Sequence, residues 1–330
     1  MKRHQLIGAA MMLLILAVPL AAMADSAVSR LKHANTPAEY GAIFEEILDQ
    51  GDASAGELLA LLREDVPAGD PAVMQKAWEA KVTAMNLLGE MKAQSALVLL
   101  GDMLKDSDNV SAIYNAGRAI GRIGGTNAFN ILKNILAETA GADNELSEAR
   151  KKAAIVGLGL CENEQAIELL RDELNNAANT DIVRIYAAGS LGMLGVNDGL
   201  DVVKARLDSE DADIRLAAIR ALGLIGDADA IADLNNAVGP NGMAVPRRAA
   251  QLSVAQITAA RMTGDEKVRF IEKELMKNSH DTAFIQWGTM QLKKIRSSAS
   301  MNALASLAGQ PGQEMAILRQ AARIRMKSAL

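Results

Sequence analysis

The chain has 330 residues, 50% of them hydrophobic but only 3% aromatic, and carries a formal charge of −5 from 35 basic and 40 acidic side chains. That length admits two ordinary domains or one elongated array; the composition excludes an aromatic-rich core and leaves Ala, Leu, Ile, Val and Met to build closely approaching helices. The acidic balance and the lack of any clustered Lys/Arg run exclude a nucleic-acid partner, which demands cations to displace counterions, and the single cysteine, Cys161, excludes an intramolecular disulfide.

At the N-terminus, Lys2 and Arg3 precede an apolar run over residues 6–20 and a small-residue site, Ala22-Met23-Ala24. This pattern predicts a signal peptide over residues 1–24, cut between Ala24 and Asp25. The run is shorter than the ~20 residues a membrane-spanning helix needs, so no stable membrane anchor is expected after cleavage. There is no cysteine at the site for lipid attachment and no twin-arginine pair, which points to the general secretory route and a periplasmic or secreted protein. Loss of Lys2 and Arg3 takes the formal charge from −5 to −7. Residues 25–70 then read as an N-terminal helical cap with two helices, Pro37–Gln50 and 53–63, that lack the pattern which follows.

From about residue 71 to residue 330 one motif recurs seven times, Ala-x-x-x-Leu-Gly followed by a break and a second apolar-periodic stretch. The Leu position is filled by Leu88, Ile120, Leu158, Leu191, Leu222, Val254 and Leu292, a mean spacing of 34 residues. Four residues earlier stand Ala84, Ala116, Ala154, Ala187, Ala218, Ala250 and Gly288, and one residue later Gly89, Gly121, Gly159, Gly192, Gly223, Ala255 and Lys293. Positions four apart share a helix face, so small residues there admit a neighbouring helix closely. Glycines such as Gly124, Gly195 and Gly226 end the first helix, and a second helix follows, for example through Leu200, Val203 and Leu207. No unit buries its apolar face alone, so the units must stack. Asp181 with Arg184, Asp211 with Arg215, and Lys81, Lys151 and Arg247 at the same register read as helix caps and ties between units.

Residues 211–231, DADIRLAAIRALGLIGDADAI, resemble the short HEAT-like repeat of the phycobilin-lyase type, and 183–211 and 109–136 resemble it almost as well. The resemblance covers about residues 72–330 and fades in the last two copies. It implies an all-α fold, an α-α superhelix of about seven two-helix repeats with helical caps, in which the second helix lines the inner face. Three tyrosines and four phenylalanines do not supply the aromatic positions of tetratricopeptide repeats, and the ankyrin Thr-Pro-Leu-His is absent. Residues 313–330, with Arg319, Arg323, Arg325 and Lys327, read as a solvated C-terminal capping helix.

Little in the sequence carries chemistry. His33 and His280 stand at opposite ends of the array, which leaves a catalytic triad or a histidine metal site without material. Cys161 falls at an apolar helix position, in register with Leu194 and Ile225, and reads as a small core residue. The glycines of 157–162 lack the third glycine and the preceding strand of a dinucleotide site, and no P-loop is present. No catalytic, cofactor or metal site is expected. The chain reads as a non-catalytic interaction scaffold or adaptor for a protein partner in the periplasm or cell envelope, with Lys133, Glu168, Arg171, Asp201 and Lys204 on the second helices as the candidate surface. The alternatives are an enzyme related to the chromophore lyases and a purely structural envelope spacer.

Overall fold

The computed structural model describes residues 25–141, 144–238, 244–312 and 315–327; the segment read as a signal peptide lies outside the described residues. Three helices come first, α1 (Ala27–Arg30), α2 (Pro37–Gln50) and α3 (Asp52–Arg63). Seven pairs follow: α4 (Pro71–Glu90) with α5 (Leu97–Asp106), α6 (Val110–Ile123) with α7 (Gly125–Glu138), α8 (Glu145–Leu160) with α9 (Ala166–Asn175), and α10 (Asp181–Met193) with α11 (Leu200–Lys204). The series continues with α12 (Ala212–Ile225) and α13 (Ala230–Val238), α14 (Ala244–Ala260) and α15 (Gly264–Lys277), α16 (Thr282–Ile295) and α17 (Ser298–Ala308), and ends in α18 (Ala316–Lys327). The seven Leu-position residues fall one in each first helix. All but Val254 are fully buried.

Local chemistry fixes where these helices begin. Asn109, Asn144, Asp211 and Asp281 each accept from a backbone N–H in the first turn of α6, α8, α12 and α16, at 2.8–2.9 Å for the shortest bond of each. Basic residues in register anchor three first helices to backbone carbonyls that precede them, Lys81 donating to Leu62 O at 2.8 Å, Arg184 to Leu174 O at 2.9 Å and Arg215 to Glu210 O at 2.8 Å, while Lys151 reaches forward to Asn179 at 2.9 Å and Glu173 at 3.4 Å. Asp211 caps α12 as expected, but Asp181 does not cap α10: it is the first helical residue after Thr180 and pairs with Arg206 at 2.6 Å.

First helices of successive pairs pack directly on one another, and the glycine after the Leu position is where they touch. A methyl group at Gly121 would lie 2.4 Å from the Gly157 carbonyl oxygen, one at Gly192 2.7 Å from the Ile225 backbone, and one at Gly223 2.8 Å from Ser253 Cα. Second helices cover the first but touch one another little. A stack curves toward its tighter layer, and the aromatic contacts confirm the direction: Tyr114 of α6 and Tyr186 of α10, two units apart, meet across α8 with ring centroids 6.4 Å apart. The first helices therefore line the concave face and the second helices form the outer layer. This reverses the inner-face assignment that the family resemblance implied, because the small residues that permit close approach sit on the first helices.

Six of the seven first helices, all but α14, end in a left-handed residue four positions after the Leu position. Gly124, Gly195 and Gly226 take φ of 70°, 80° and 81°, and where glycine is missing Lys92, Glu162 and Arg296 adopt φ 52° instead. The backbone path is thus kept in copies where the residue type opposes it, at roughly 1–2 kcal/mol each.

Beyond α14 the stacking changes. The buried side chains form two clusters, one reaching Ile257 and a second from Ala259 to Ala322, and α14 hardly touches α16. Gly288, at the small-residue position of the last copy, makes room for Leu275 of α15, so here the gap is filled from the adjoining second helix. The final helix is not a solvated cap. Leu318 and Ala322 of α18 are fully buried, and α18 packs on α16, α17 and α2, its Gln320 side chain filling the space above Gly41. Lys327 reaches Asp49 at 2.5 Å and Glu45 at 3.9 Å. The superhelix closes on its own N-terminal helices.

Gly121→Ala should lower the urea-unfolding free energy by about 1–3 kcal/mol, the range for overpacking, whereas Gly56→Ala, with nothing within 4 Å of the added carbon, should raise it by about 0.5–1 kcal/mol. Arg296→Gly should also stabilise, by less than about 1 kcal/mol once the extra freedom of glycine in the unfolded chain is counted. Equal losses for Gly121→Ala and Gly56→Ala would refute the backbone-contact account.

Candidate functional site at the concave centre

Residues two before and two after the Leu position share a row of the first helix. On α8 and α10 this row is apolar or small, with Val156, Leu160, Gly189 and Met193. On α4 and α6 it holds Asn86, Glu90, Arg118 and Arg122, and Tyr114 extends the α6 face by one more turn. Closure of the superhelix brings Lys293 of α16 and Arg325 of α18 to the same place.

Glu90 is the hub, with 4% of its side chain exposed. Arg325 forms an ion pair with its Oε2, Lys293 Nζ stands 3.5 Å from the same oxygen, and Arg122 lies 3.7 Å from Oε1. Arg122 also donates to Asn86 Oδ1 at 3.1 Å, and Asn86 in turn reaches Asn115 at 3.4 Å. Burial pushes the Glu90 carboxyl up, but Arg325, Arg122 and Lys293 outweigh it and hold the group below the usual carboxylate range. Arg122 is pushed down to about 10 by burial, with Glu90 opposing and Arg118 and Arg325 adding to the effect. Burial likewise lowers Lys293 and Arg118. Burial raises the Tyr114 phenol far above its ordinary value, helped by the neighbouring Tyr186. The centre is thus a recessed cationic surface suited to holding negative charge.

The residues expected to form an interaction surface lie on the outer layer and are not gathered into one site. Lys133, Glu168 and Asp201 are exposed, Arg171 and Lys204 partly so. Arg171 bridges Glu168 and Asp198, both at 2.6 Å, and Lys204 pairs with Asp233 at 3.2 Å; each bridge crossing to the next unit links neighbours along the outer surface.

A second feature of the outer surface is a shallow cavity of about 490 Å³ between α4 and α5, lined by Trp78, Asp102, Met103, Asp106, Ser107 and Asp108. Met74 precedes Trp78 by one turn, and Val98 precedes Asp102 by one turn; both are exposed, Val98 to 74%. Cys161 is buried, donates to Leu158 O at 3.0 Å and has its thiol pushed up by burial. His33 and His280 are exposed, the latter in the turn before α16. Among the described residues no group of His, Cys, Asp and Glu is placed to hold a metal ion, and no helix is long and apolar enough to cross a membrane.

Glu90, Arg118 and Arg122 were not singled out from the sequence. Their signal was there, as polar residues filling both positions of the row in the first two copies where the third and fourth have Val, Leu, Gly and Met. Lys293 was visible only as the loss of a glycine.

Because the folded carboxyl of Glu90 is held below its ordinary value, its stabilisation is complete above the usual carboxylate range, near 4.3, and is lost as pH falls through the lowered folded value. Glu90→Gln, which leaves the buried cations uncompensated, should cost about 3–5 kcal/mol at neutral pH. In urea unfolding the gap between the two proteins should stay constant down to about pH 5 and narrow below it; a gap that does not depend on pH would count against this role.

Compared with known protein families, residues 167–255 match the HEAT repeats. No curated protein matches the chain. Among solved structures, human deoxyhypusine hydroxylase in complex with glycerol is similar at 15% identity and a TM-score of 0.38, over 84% of this chain and 97% of that one. The chain contains HEAT-like repeats within an all-helical α-α solenoid.

Proposed function

We propose that this protein is an exported, non-catalytic scaffold of the periplasm or cell envelope that engages a protein partner through its outer layer. Support for export comes from the basic start, apolar run and Ala22-Met23-Ala24 site of residues 1–24. The observation that carries the binding role is the outer surface around Trp78. There Met74, Trp78, Val98 and Met103 are flanked by Asp102, Asp106 and Asp108. Exposed apolar groups rimmed by charge mark interaction sites, and this combination fits a partner segment carrying apolar and basic side chains. The concave face is less suited to gripping an extended segment, because its small and apolar side chains are taken up in helix contact and Arg122, Lys293 and Arg325 in the ion pairs of Glu90.

The test is a pull-down from an envelope fraction with the mature chain, followed by a binding titration with the partner identified. A saturable interaction that Asp102→Asn/Asp106→Asn weakens at least tenfold, with weaker binding as salt rises, is the expected result. Retention by that variant and loss on Lys133→Glu/Asp201→Lys would move the site to the charged outer surface of α7 and α11. No saturable partner, or one indifferent to both variants, would sink the reading.

A further inference from the structure

Positive charge gathers at the concave centre. Arg122, Lys293 and Arg325 all converge on Glu90, and Arg118, one turn before Arg122 on α6, makes no hydrogen bond or ion pair among the described residues. Arg118 therefore adds a positive charge without an ion pair one turn from a cation that Glu90 holds. Another carboxylate near the tyrosines, Glu148, is engaged by Lys152 at 2.9 Å and Thr180 at 2.9 Å. Arginine keeps its charge at any physiological pH, so deprotonation cannot relieve an excess carried largely by guanidinium groups. The site is recessed, with 19%, 15% and 11% of the Arg122, Lys293 and Arg325 side chains exposed, and uncompensated charge there is costly.

One turn before Arg118 on the same face of α6 stands Tyr114, whose ring meets that of Tyr186 of α10 at 6.4 Å between centroids. Each phenol carries an O–H able to donate. A planar guanidinium fork with a neighbouring hydroxyl donor matches the geometry of an oxyanion, phosphate or carboxylate. We propose that the concave centre binds an oxyanion-bearing ligand, held by Arg118 with Arg122 and the Tyr114–Tyr186 pair. Glu90 keeps the remaining cations in place, and Arg118 is the residue left to meet the ligand.

The experiment uses the mature full-length chain in a chloride buffer of constant ionic strength, titrated with inorganic phosphate or with succinate, and reads thermal unfolding and heat of binding. A saturable rise in Tm of several degrees is expected, with a matching binding isotherm, and Arg118→Gln should abolish both. That variant removes a charge without an ion pair, so its unliganded Tm should equal or exceed that of the wild type, and Lys273→Gln on the exposed face of α15 should leave the response intact. Phosphate alone acting identifies a phosphate group as the source, succinate alone a carboxylate, and both a site that reads any oxyanion. No saturable rise above chloride overturns the proposal. An equal rise in Arg118→Gln does so too, since it would reflect the general stabilisation by excluded anions.

Discussion

Helices that carry alanine and glycine along one face can approach until backbone meets backbone, and everything else in this protein depends on that contact. At Gly121 and Gly157 the two chains leave no room for a single methyl group on either side. Such proximity maximises dispersion between close-packed surfaces and brings the first helices together faster than their partners. The curvature follows from that difference, and so does the meeting of Tyr114 with Tyr186 over the intervening helix.

The two C-terminal copies show what happens when the contact is lost. Ala255 and Lys293 replace the glycine, Val254 is only partly buried at a position that is otherwise sealed, and the core divides between Ile257 and Ala259. Freed from stacking in register, α15 to α18 form a separate bundle that turns back to the start of the chain. Lys293, released from the helix interface, supplies one of the three cations around Glu90. The same substitution that ends the regular stack helps to close it.

Much of this was legible from periodicity. The seven first helices, the cap at Pro37–Gln50, the capping role of Asp211 and the core position of Cys161 all follow from local spacing, which is where helix physics acts. Which layer faces inward was not, because it depends on comparing two helix-to-helix distances that no single segment encodes. The left-handed turns at Lys92, Glu162 and Arg296 were also hidden, since their residue types argue against the conformation that the stack imposes. The charged centre combines α4, α6, α16 and α18, and only closure makes neighbours of residues so remote in sequence.

An open solenoid is nearly one-dimensional: each unit feels only its neighbours, and the ends fray independently of the middle. Here Lys293 meets Glu90 across 203 residues and Lys327 meets Asp49 across 278. Contacts of that span make the loss of either end a loss to the other, so the array behaves as a single cooperative ring, and its folding must await the slowest search in the chain, the return of its last helix to its first. Because the described ends are neighbours, the order of helices along the chain is also separable from their order in space, as in proteins that tolerate circular permutation.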